Sequence, residues 1–123
     1  MNYDITETAL DKYGIDIYHR DHYTCAYCGY DGRTFDAWMQ LSIDHIRPKS
    51  CGGLDEVDNV VVVCRSCNLI TNRMQFPADM SRKEIIERKR LRVKERRIYF
   101  YQDWLKRVSP SFLDRPLPNS NTY

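Results

Sequence analysis

Asp44 and His45 stand side by side in the apolar stretch Ile43-Asp44-His45-Ile46. An imidazole titrates near neutral pH and can take a proton from water. A carboxylate is a hard anionic ligand for a divalent ion, and Asn68 adds a neutral carbonyl oxygen. Mg2+ accepts such oxygens while keeping waters in its other positions, and Mn2+ suits the same donors. These residue types fit phosphodiester hydrolysis, which needs an activated water and neutralisation of charge on the phosphate. One divalent ion held by Asp44 and Asn68, with His45 as the general base, uses all three.

The cysteines suit a different metal. Four of the five fall in CxxC pairs, Cys25/Cys28 and Cys64/Cys67. A two-residue gap lets both thiolates of a pair reach one ion, and four thiolates close a tetrahedral site. Such a site has no open position, so its zinc is structural. The first residues, Met1-Asn2-Tyr3-Asp4, lack the basic and apolar regions of a secretion signal, which favours zinc over disulfides. Asn68 follows Cys67 directly, so the zinc also fixes the backbone that presents this oxygen. Cys51 is left over as a free thiol in a loop. His19 and His22 are expected to be solvated or phosphate-facing, because the cysteines already complete a site.

The elements that must position these groups follow from pattern. Residues 1–24 hold one or two short helices, with Glu7 to Tyr13 closed by Gly14 and a further turn leading to the first CxxC. Tyr30 to Ala37 reads as a loop. Trp38 to Ile46 reads as a first strand, and Val60 to Val63, β-branched throughout, as a buried second strand. Gly52-Gly53 turns the chain between them. Adjacent residues of a strand point to opposite sides, so the first strand must end or bend at Asp44-His45. A short helix follows, from Arg65 or Asn68 to about Met74. Ser81-Arg82-Lys83-Glu84 is a capping box that opens a long helix over about 82–108. The tail, 109–123, carries Pro116 and Pro118 and reads as disordered.

The order Asp-His, Gly-Gly, Asn59 and CxxC-Asn, behind an upstream CxxC, resembles the HNH endonucleases. These are the zinc-bearing branch of the ββα-metal, or His-Me finger, nucleases. The likeness runs from about Arg20 to about Arg73. The last letter of the family name is here Asn68, so the chain has an H-N-N set. Thr71 departs from the Lys often found there, and Arg73 is nearby. The resemblance implies an α+β fold with a small ββα-metal core over about 20–75 and a structural tetracysteine zinc. Short N-terminal helices and a long basic C-terminal helix flank that core, in a single domain over 1–123. It also implies that Asp44 binds the catalytic metal and His45 aims at the attacking water. Asn59 then orients the histidine's loop through hydrogen bonds. Taken singly, these residues have plainer roles: a surface pair for Asp44-His45, an Asx turn for Asn59, a helix N-cap for Asn68.

Charge points to the partner. Residues 82–97 hold nine basic and three acidic residues, a local excess of six in a chain of net charge +2. A basic arm on an acidic body suits a polyanion, here DNA. The expected nucleic-acid contacts are Arg47, Arg65 and Arg73 in the core and Arg88, Lys89, Arg92 and Arg96 on the helix. Ile86, Val93, Phe100 and Trp104 make a helical stripe whose contacts thicken towards the C-terminal half. That half, with Tyr99 and Tyr101, should pack on the body or on a partner, as a homodimer or with a protein supplying specificity. The first half is expected to stay wet. No run of eighteen apolar residues is present, so no membrane partner is expected, and the cytoplasm is the simplest address. The metal-dependent DNA endonuclease reading has two alternatives: a non-cleaving, zinc-stabilised nucleic-acid-binding module and a protein-interaction module.

Overall fold

Val60–Cys64 forms the central strand, β2, of a computed structural model that describes residues 14–108 and 110–114. The expected helix over Glu7 to Tyr13 lies outside the described residues. β2 pairs antiparallel with β1, Leu41–His45, in a two-stranded sheet, with Asp44 opposite Val61 and His45 opposite Val60. Both faces of β2 are covered, which is why it can be β-branched throughout instead of alternating. Val60 and Val62 pack with Leu41, Ile17 and Tyr18 on one face. On the other, Val63 packs with Tyr27, Cys67 and Val93.

The helices build these two layers. Helix α1, Ile15–Arg20, supplies Ile17 and Tyr18 to the first face. Helix α2, Phe35–Trp38, occupies the region expected to be loop and strand start, so β1 begins only at Leu41. The cause is local: the Thr34 hydroxyl accepts from the Ala37 amide and caps a helical turn. Helix α3, Arg65–Thr71, follows β2 without a gap. Helix α4, Arg82–Arg107, crosses the second face, and a turn of helix α5, Pro110–Leu113, stands within the tail expected to be disordered.

The capping box of α4 closes as expected at one end, with Ser81 Oγ accepting from the Glu84 amide at 3.1 Å. Its packing is the reverse of the expected one. The first half buries Ile85, Lys89 and Val93, while Phe100, Tyr101, Trp104 and Leu105 are exposed. Ile85, Lys89 and Val93 are spaced i, i+4, i+8 and share one face. The aliphatic stem of a lysine can line such a face if its ammonium finds a partner.

The free edge of β2 is also covered. The Ala26 amide donates to Val62 O, the Val62 amide to Asp21 Oδ2, and Arg20 Nη2 to Val60 O. These bonds occupy groups that would otherwise invite another strand. They also tie the first CxxC to the sheet.

Candidate active site and metal centre

Cys25 and Cys28 come from the turn before α2; Cys64 ends β2 and Cys67 lies in α3. Their four sulfurs lie within 4.8 Å of one another, and Cys28 Sγ is 3.7 Å from Cys64 Sγ. A tetrahedron with Zn–S distances of 2.3 Å has an edge of about 3.8 Å. The donor set and its spacing therefore fit a structural zinc. Hydrogen bonds from Cys64 and Cys67 hold the Cys25 thiol well below the usual thiol range. The same bonds push Cys64 up to about 11 and raise Cys67 as well. Cys51 lies apart, with its thiol 3.1 Å from Gln75 Oε1.

β1 ends at His45, where the adjacency of two site residues requires it to end or bend. Asp44 turns towards α4 and the first CxxC. Its Oδ2 accepts from Tyr27 Oη at 2.9 Å and from Lys89 Nζ at 3.0 Å. Lys89 Nζ also donates to His45 O at 2.9 Å and lies 5.4 Å from the centre of the Tyr27 ring. Burial, and then the Asp44 charge, push the Tyr27 phenol above its usual range, so it stays a donor. His45 turns instead to the loop, with Nε2 3.1 Å from Asp55 Oδ1.

Asn59 is buried and spans the loop after His45. Its Oδ1 accepts from the Arg47 amide at 2.9 Å, and its Nδ2 donates to Arg47 O at 3.0 Å and Leu54 O at 2.9 Å. Gly53 closes the same loop. A Cβ there would lie 1.8 Å from Arg47 O, so only glycine fits. The loop thus meets His45 in a fixed path.

Asp44, His45, Pro48, Lys49, Thr71, Asn72 and Lys89 line a cleft of about 220 Å3. Asn68 is half-buried on α3, one turn before Asn72, and is not among the residues lining this cleft. Thr71 is buried and donates to Cys67 O. A second groove, of about 890 Å3, runs between α3 and α4, and Asn72 borders both.

The basic residues divide into engaged and open ones. Lys89 is 1 % exposed and faces Asp44, which corrects its expected place among the nucleic-acid contacts on the solvated face. Arg47 donates to Pro77 O and Met80 O, so its guanidinium ties the loop to the approach of α4. Arg65 and Arg88 are exposed. Arg73, Arg92 and Arg96 line the larger groove together with Arg97, which motif and charge counting did not single out. Tyr27, Asp55 and Asn72 were missed too. Only Lys89 had a legible signal, its position between Ile85 and Val93. His19 and His22 are exposed, and His19 stands edge-on to Tyr23 at 5.4 Å.

A family model described as HNH endonuclease matches residues 25–73. No match is found among curated proteins or among solved structures. Among the described residues no helix is long and apolar enough to cross a membrane.

Proposed function

We propose, from the match of residues 25–73 to the HNH endonuclease family model, that the chain is a metal-dependent DNA endonuclease. The observation that carries this reading is the cleft that joins Asp44 and His45 near the tetracysteine cluster and shares Asn72 with an arginine-lined groove.

His45 acts as the general base. With its Nε2–H donating to Asp55, the Nδ1 lone pair is left to take a proton from water. The water oxygen then bonds to phosphorus, and the bond to the leaving oxygen breaks. Asn59 holds the backbone after His45 and so keeps the imidazole in place. Asp44 spends Oδ2 on Tyr27 and Lys89, which leaves Oδ1 for a divalent ion. The motif position assigns the second protein ligand to Asn68, which stands outside the cleft lining, one helical turn from the cleft residue Asn72. Mg2+ or Mn2+ bound there would polarise the phosphate and neutralise charge on the leaving oxygen. Lys89 adds a fixed positive charge next to the same carboxylate. The exposed aromatic half of α4 favours a further role as an interaction element, in a homodimer or with a partner protein, alongside cleavage.

Supercoiled plasmid incubated with the zinc-loaded protein, with and without Mg2+ or Mn2+, tests this directly. Nicked or linear product that depends on the added ion and is absent with His45→Ala is the expected result. Intact plasmid under every metal condition would leave a non-cleaving binding module as the reading.

A further inference from the structure

The groove between α3 and α4 has a composition that a duplex backbone alone does not call for. Arg73 follows the end of α3; Arg92, Arg96 and Arg97 come from α4. Between these charges lie Leu69 and Phe100, which are 73 % and 46 % exposed. The Arg96 guanidinium lies 4.7 Å from the centre of the Phe100 ring, so a planar cation and an aromatic face form one platform. Phosphates need the arginines but have no use for the apolar surface. A nucleotide base needs the apolar surface and tolerates the arginine as a stacking partner. Asn72 lines both the groove and the cleft, so a strand held in the groove lies next to the cleft. The α4 side of the groove lies outside the segment matched by the family model.

We propose that this groove binds unpaired DNA next to the scissile phosphate, with arginines on consecutive phosphates and a base stacked on Phe100. The preferred substrate is then a duplex with a single-stranded flank. This inference rests on the endonuclease reading for its substrate class, but the groove is tested by binding alone.

Fluorescence anisotropy with no divalent ion added compares three labelled DNAs: a blunt duplex, the same duplex with a single-stranded tail, and the tail alone. The tailed duplex is expected to bind about tenfold more tightly than the blunt one, as expected for base–aromatic stacking. Phe100→Ala is expected to remove most of that difference while leaving blunt-duplex binding unchanged. Arg92→Gln combined with Arg96→Gln should weaken binding of the tail and lower its salt slope by about 1.4, two single-strand phosphate contacts. Arg92 and Phe100 are exposed and Arg96 is half-buried, and retained zinc content checks the fold. Equal affinity for blunt and tailed duplex overturns the proposal, as does a Phe100→Ala variant with full preference for the tail. Failure to cut plasmid would count against the nuclease reading and leave these binding results standing.

Discussion

Lys89 Nζ lies 3.0 Å from Asp44 Oδ2, joining the long helix to the end of β1 through a buried ion pair. The lysine side chain is 2 % exposed and the aspartate 15 %. Removing one partner of such a pair leaves an uncompensated charge, which costs more than the pair itself contributes. Lys89→Met should therefore destabilise the protein by about 3 kcal/mol, the low end for a buried pair because Asp44 borders the cleft. Urea unfolding monitored by circular dichroism measures this. Because Lys89 is buried, the same variant should leave the salt dependence of DNA binding unchanged. A slope lowered as far as in the Arg92/Arg96 variant would return Lys89 to the DNA-binding surface.

The zinc site predicts a sign for pH. Zinc binds thiolates, so binding releases the protons held by Cys64, raised to about 11, and Cys67, also raised. Affinity must then rise with pH below about 11 and fall on acidification. With at least these two protons released, it should change by at least about two decades per pH unit near neutrality. Competition with a chromophoric chelator at several pH values gives the slope. A pH-independent affinity, or a protein that purifies without zinc, would contradict the tetrathiolate site.

His45→Ala should slow cleavage by about 10²–10⁴-fold at unchanged zinc content and DNA affinity. Asp44→Ala should fail differently, with a raised Mg2+ or Mn2+ requirement as well as a lower rate, because the anionic ligand is lost. Asp55→Ala should slow cleavage less than His45→Ala, since it frees the imidazole to rotate but leaves it present. Rates measured across a metal titration separate the three. An Asp55→Ala rate equal to wild type would show that His45 needs no orienting carboxylate.

Asn68 and Asn72 are one helical turn apart and should respond differently. Asn68→Ala should raise the metal requirement, more mildly than Asp44→Ala because a neutral carbonyl contributes less charge. Asn72→Ala should weaken substrate binding at constant metal requirement, because Asn72 borders both cleft and groove. A metal titration of the rate, with KM and kcat compared at saturating metal, distinguishes a ligand from a substrate contact. A metal requirement raised by Asn72→Ala and untouched by Asn68→Ala would exchange the two roles.

The parts of this molecule legible in the sequence are those whose chemistry is local. CxxC spacing places four thiols without knowledge of the fold, and the β-branched run at Val60 announces a buried strand. Ser81 and Glu84 mark the start of α4 because the cap is made between near neighbours. Asn59 is recognised through its place in the motif, while its three bonds to a loop up to twelve residues away emerge only from the fold. What the sequence hides is which side of α4 faces inward. Aromatic residues outnumber aliphatic ones in its second half, and hydrophobic count alone favoured burying that half. The sheet decides otherwise, because the Asp44 carboxylate needs a cation and α4 supplies one from its first half. The turn at Phe35–Trp38 is hidden for the opposite reason: a single threonine cap outweighs the β-propensity of the aromatic residues after it.

The cysteine pairs also impose an order in time. Cys25 and Cys28 are synthesised well before Cys67, and a chain is made from its N-terminus. Two ligands alone do not close a tetrahedral site, so these thiols wait, open to oxidation, until β2 and the first turn of α3 exist. Zinc binding is then coupled to closure of the β1–β2 hairpin and the first turn of α3. Lys89 is made later still, and until α4 docks Asp44 has no buried cation beside it. The cleft lined by Asp44, His45 and Lys89 is thus completed only after all four zinc ligands are in the chain.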